Sequence, residues 1–269
     1  MGRSAGLPGL AVLVSLLTPS TAAQHTDFQG PEAERFLRDA SVVRMKAAGR
    51  GNLPQTATLT LDGTTHDAAW TTIDHSKSAL TQHAGGLSEI DFEDTYRAEC
   101  AAYQLDRLLH LDMVPATVER IINGHRGALQ LSIAPSVLEA ERDRKQVDPP
   151  NIEAWNQQMF KMRLFDTLIF NADRGPHNIL ITPEWQIRLV DHSRAFRRTG
   201  SLRDQKSLTR FSRSLLDAIH RLDVRTLQQR LGRYLSVHQI RGLLERRDRI
   251  EELARRLAAE QGESAVYYP

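Results

Sequence analysis

The sequence predicts an α+β chain of two lobes, a small antiparallel-sheet lobe carrying one helix and then a larger, mainly helical lobe. Three observations carry this. β-rich segments of alternating polarity gather before residue 134, at 41–46, 56–61 and 66–73 and on both sides of an Asn123-Gly124 turn. Helical periodicity dominates from Ile152 onward. Inside that helical part lies a single pair of short apolar runs, at 179–182 and 186–190. The 269 residues are 41% hydrophobic and 25% charged, which suits one or two globular domains and excludes a disordered or fibrous chain.

Residues 1–23 carry Arg3, an apolar run from Leu7 to Leu17, and then Ser20, Thr21, Ala22 and Ala23. This reads as a cleavable secretory signal, cut near Ala22 or Ala23, with export to the periplasm or the exterior. The run is shorter than the roughly 20 apolar residues a membrane-spanning helix needs, so no membrane span is expected. Residues 24–40 are polar, a linker or a short helix. The small lobe is assigned to 41–133. Its first two strands flank a loop containing Gly49 and Gly51, where glycine allows backbone amides to approach phosphates; a plain hairpin turn fits equally. A turn at 62–65 leads to a third strand at 66–73, with Lys77 just beyond. A helix is predicted over 92–111, with Ala98, Ala101, Ala102, Leu105, Leu108 and Leu109 on its apolar face. Glu99 lies beside that face, where a covered carboxylate needs a cation and a rim carboxylate needs none. Cys100 is the only cysteine, so no internal disulfide forms, and burial is expected for it.

The larger lobe is assigned to 134–258, with a hinge at Ala134-Pro135 and a loop at 147–151. A helix over 152–171 places Trp155, Met159, Met162, Phe165, Leu168 and Ile169 on one side and delivers Asp173. Asp166 within it either bonds the loop that follows or faces solvent. Pro183, Glu184 and Trp185 suit the turn of a hairpin. Amphipathic helices follow at 208–222 and 226–235, then Ser236 and Gln239 form an S-x-x-Q capping box before the last helix. Residues 259–269 read as a tail, frayed from Gly262. From Arg194 onward there are 17 basic and 9 acidic side chains, yet the whole chain carries only +2, too little to imply nucleic acid. Solvated faces of Arg-rich helices account for the basic end.

Pairing of the two short apolar runs as a hairpin brings Asn178 and Asp191 to its open end. An amide oxygen beside a carboxylate suits a hard divalent cation shared with phosphates. Asp173, five residues before Asn178, reaches the same space and leaves a carboxylate to meet a nucleophile. Phosphoryl transfer asks for these roles in this order. Asp173, Arg174, Asn178, Ile179, Leu180 and Asp191 resemble the catalytic loop and metal-binding strand of the atypical protein-kinase-like superfamily, in particular phosphoinositide kinases, HipA-like kinases and Golgi secretory-pathway kinases, here as an exported bacterial-type member.

The resemblance implies a two-lobed protein-kinase-like fold with a nucleotide-binding small lobe and a catalytic helical lobe. It implies ATP with Mg2+ or Mn2+, and a hydroxyl-bearing acceptor. Asp173 would orient and deprotonate the acceptor, Asn178 and Asp191 would hold metal, Gly49 and Gly51 would cover phosphates, and Lys77 would pair with Glu99. Three departures stand out. Asn171 and Ala172 precede Asp173 in place of His-Arg; His192 and Ser193 follow Asp191 in place of Phe-Gly; and Trp70, Thr71 and Thr72 occupy the region where a lysine belongs. The last supports an alternative, a kinase-like binding module that has lost transfer. A third reading is a metal-dependent phosphoesterase built from Asp173, His177, Asp191 and His192.

Overall fold

A computed structural model describes residues 28–47, 54–77, 81–82, 88–89 and 92–269; the secretory signal expected at 1–23 and Gly49 and Gly51 lie outside the described residues. The first lobe runs α1 (Gly30–Asp39), β1 (Ser41–Lys46), β2 (Gln55–Leu61), β3 (Thr64–Thr71), β4 (Asp74–Lys77), β5 (Thr81–Gln82), β6 (Ser88–Glu89), β7 (Phe92–Thr95), α2 (Tyr96–Leu109), β8 (Thr117–Ile122) and β9 (His125–Leu131). Five strands form an antiparallel sheet in the order β1-β2-β3-β9-β8. Two-residue turns close β2–β3 and β8–β9, with Asp62, Gly63, Asn123 and Gly124 all at positive φ, the geometry that matches strand twist. Strand alternation sends Ala57, Leu59, Ala68, Trp70, Leu129 and Leu131 into the main core, shared with Ala33, Phe36 and Leu37 of α1. The described part of 24–40 is thus a packed helix, with Pro31 in its first turn, and not a linker.

The helix predicted over 92–111 begins four residues later. Phe92–Thr95 pairs instead with β4, and Thr95 caps α2, its hydroxyl accepting from Arg97 N–H at 3.2 Å and donating to Asp74 at 2.7 Å. Cys100 is buried, which pushes its thiol up.

At the other end of α2, Asp106 is 1% exposed and accepts from the N–H groups of Met113 and Val114 at 2.9 and 3.0 Å. Burial pushes its carboxyl up to about 7 from 3.8. Because the folded state holds this proton more tightly than the unfolded one, the group's contribution to stability is complete below about pH 4 and is lost as pH rises to about 7. Asp106→Asn keeps an acceptor for both N–H groups without the charge. Its melting temperature is expected to gain on the native protein steadily between pH 4 and 7 and then run parallel. Asp106→Ala strands two buried donors, at about 1–3 kcal/mol each.

The second lobe runs β10 (Val137–Leu138), α3 (Glu139–Arg144), α4 (Ile152–Ile169), β11 (Ile179–Ile181), β12 (Ile187–Leu189), β13 (Phe211–Ser212), α5 (Arg213–His220), α6 (Val224–Leu231), α7 (Val237–Gln261), α8 (Glu263–Val266) and β14 (Tyr267–Tyr268). The predicted antiparallel hairpin forms as β11–β12, and β10 adds a third strand to it. Both halves of the capping box at Ser236 and Gln239 are present. The tail is not frayed. β14 pairs in parallel with β13, and Val266 and Tyr268 are buried, because the last apolar residues find a groove beside Phe211.

The basic end is not only a solvated face. Arg246 of α7 is fully buried and donates to the carbonyls of Leu168 (2.7 Å), Arg197 (2.9 Å) and Thr199. Gly242, one turn earlier, lets the helix approach so closely that an added Cβ would lie 2.4 Å from the Arg198 carbonyl oxygen.

Candidate active site

The hairpin end is built as its register requires. Val190 N–H donates to the Asn178 carbonyl at 3.2 Å, so Asn178 and Asp191 leave the paired strands at the same end. The Asn178 amide nitrogen donates to the carbonyl of Asp173 at 2.8 Å, tying the preceding loop to the hairpin. The Asn178 side-chain oxygen accepts from Gly175 N–H (2.9 Å) and Arg174 (3.3 Å). The side chain of Asp173 is about half exposed, and Arg194 stands 3.6 Å from it with its guanidinium over the Phe92 ring.

Asp191 sits at φ 60°, an uncommon backbone region for a residue with a side chain, tolerated best by Asn and Asp. Burial raises its carboxyl pKa, and the neighbouring Glu99 and Asp173 raise it further. A carboxylate and an amide oxygen leaving one end of the hairpin are donor types that suit an oxygen-seeking divalent cation, so Asn178 and Asp191 fit Mg2+ or Mn2+ in type. Asn178 would share its oxygen with donors from its own loop.

Glu99 is 6% exposed, yet its partner is not Lys77. One oxygen accepts from the backbone N–H of His192 at 2.8 Å, and the other lies 3.4 Å from the imidazole Nδ1. Burial pushes the Glu99 carboxyl up to about 7 against the pull of the His192 N–H and Arg174. Lys77 ends the exposed strand β4, opposite Phe92. On β3, Ala68 and Trp70 enter the core, so Ala69 and Thr71 face the other side, where Ala128 packs with Tyr96 and Cys100 of α2. Register places Lys46 on that same face, through Thr56 and Ala69. The sequence singled out Lys77 by its proximity to the third strand.

Arg174 is the residue whose weight the sequence did not reveal. It grips both oxygens of Asp166 (2.9 and 3.1 Å), donates to the carbonyls of Val190 (2.7 Å) and Asn178 (2.9 Å), and reaches His192 Nε2 at 2.8 Å. Asp166 therefore bonds the following loop and does not face solvent; it also accepts from the Asn171 amide at 3.0 Å, and Asn171 in turn accepts from Asp173 N–H at 3.1 Å. The phosphoesterase quartet is not assembled. His192 is wholly buried between Glu99 and Arg174, and among the described residues no three His, Cys, Asp or Glu side chains gather as a metal site. No described helix is long and apolar enough to cross a membrane.

No protein-family model matches the chain, and no curated protein sequence matches it. Solved structures do. The Golgi casein kinase superposes with a TM-score of 0.59 at 13% identity, over 87% of this chain and 76% of that one. The proinflammatory kinase CtkA of Helicobacter pylori gives 0.51 at 13% identity, over 84% of this chain and 98% of that one. At such identity the likeness speaks for the fold, and with a five-stranded antiparallel sheet lobe leading into a helical lobe the chain has the two-lobed fold of the atypical protein kinases.

Proposed function

We propose that the chain is an atypical kinase that transfers the γ-phosphate of ATP to a hydroxyl of its acceptor. The observation that supports this is the grouping of Asp173, Asn178 and Asp191 at one end of the hairpin, joined by the bond from the Asn178 amide to the Asp173 carbonyl. Asp173 meets the acceptor hydroxyl. As the bond from the hydroxyl oxygen to the γ-phosphorus forms and the bond to the departing ADP oxygen breaks, the hydroxyl proton passes to Asp173. Asn178 and Asp191 hold Mg2+ or Mn2+, which when bound neutralises phosphate charge. Both structural relatives are named as kinases, which agrees with this reading.

One observation favours a second reading, a kinase-like binding module that has lost transfer. Thr71 occupies the sheet face, while Glu99 is committed to His192. A melting-temperature titration with ATP, GTP and ADP, each with and without Mg2+ or Mn2+, tests both. Saturation at 100 times Kd adds about 2.7 kcal/mol, or roughly 5–10 °C for a chain of this size. A metal-dependent shift with turnover of ATP supports the kinase. The same shift without turnover supports the module, and no shift with any nucleotide in a folded protein ends the kinase reading and favours the module.

A further inference from the structure

The polar contacts around Asp191 form one continuous chain. Glu99 of α2 holds His192 by its backbone N–H and by Nδ1; His192 Nε2 meets Arg174; and Arg174 meets Asp166 of α4 through two parallel bonds. Arginine has only donors, so Nε2 must accept, and the imidazole proton lies on Nδ1, facing Glu99. The ring is 0% exposed and stands edge-on to Phe165 at 6.2 Å. Asp191 is therefore gripped on both flanks: Arg174 binds the Val190 carbonyl before it, and Glu99 binds the His192 N–H after it.

We propose that His192 is a positioning residue for phosphoryl transfer, whose two ring hydrogen bonds lock helix α2 to the loop of Arg174 and so fix the orientation of Asp191 without a lysine–glutamate pair. The catalytic half of this rests on the kinase reading; the structural half does not. A phenylalanine would fill the same volume against Phe165, and a residue needed for packing alone would tolerate it. It would, however, take the ring acceptor from a buried Arg174 N–H and the ring donor from Glu99, so that α2, still bonded to the backbone N–H at position 192, would lose its link to Arg174.

His192→Phe separates the two roles. Amide hydrogen exchange over 190–193 and the first turn of α2 is expected to quicken about tenfold or more, while the rest of the protein keeps its protection. Turnover is expected to fall on the order of 10–100-fold with the KM for acceptor little changed. His192→Gln, which keeps a donor and an acceptor, is expected to recover part of both. Local exchange and turnover within twofold of the native protein would overturn the proposal. Should His192→Phe not fold, 15N spectra of the native imidazole decide: a neutral ring protonated at Nδ1 supports the relay, and a ring protonated at Nε2 or at both nitrogens ends it. A native protein that binds no nucleotide would sink the kinase reading while the exchange data still judged the relay.

Discussion

Asp191→Asn is expected to melt higher than the native protein in the absence of ligands and to lose the metal-dependent part of nucleotide stabilisation. The two effects share a cause. Burial and the charges of Glu99 and Asp173 disfavour the Asp191 carboxylate, so a neutral amide relieves the folded state at neutral pH. Asparagine also tolerates the positive φ, so the backbone stays in place. What disappears is the anionic oxygen a divalent cation needs, and transfer is expected to fall on the order of 10²–10³-fold. Asp173→Asn is the contrast. It lies at the half-exposed rim and is expected to keep nucleotide binding while lowering turnover about 10²–10⁴-fold. Paired melting and turnover measurements on the two variants distinguish a metal ligand from a base, and equal behaviour would refute the division of roles.

Arg246→Leu is expected to cost about 3–5 kcal/mol, read as a shift in urea midpoint at unchanged slope. The guanidinium serves three backbone carbonyls, two from the segment after Asp191 and one from the last turn of α4. Leucine fills part of the space and strands those acceptors in a region the helix has sealed from water. The Arg246 side chain is 0% exposed, and this burial pushes its pKa down to about 9. A cost below about 1 kcal/mol, the range of an exposed arginine, would contradict this account.

The parts of the fold and site that were legible in the sequence are those set by local chemistry. The turn at Asn123-Gly124, the capping box at Ser236 and the alternation around Pro183 each declare themselves within a few residues, and the hairpin alone places Asn178 beside Asp191. Illegible features depend on distant partners. Nothing near Glu99 announces that its carboxylate will bind the backbone of His192, 93 positions on. Nothing near Arg246 separates it from the exposed arginines of the same helix, since what buries it is the approach of 197–199 over Gly242. Residues 92–95 continue the polarity of α2, and only β4 makes them a strand.

The parallel pairing of β13 with β14 has a consequence for how the protein is made. Every strand of the five-stranded sheet has been synthesised by Leu131, so that lobe is complete in composition early. Phe211, by contrast, waits for Tyr267, about 56 residues later, which at ordinary elongation rates is roughly 3–11 s. Through that interval the ribosome carries a chain whose five sheet strands have all been made while β13 still lacks its partner.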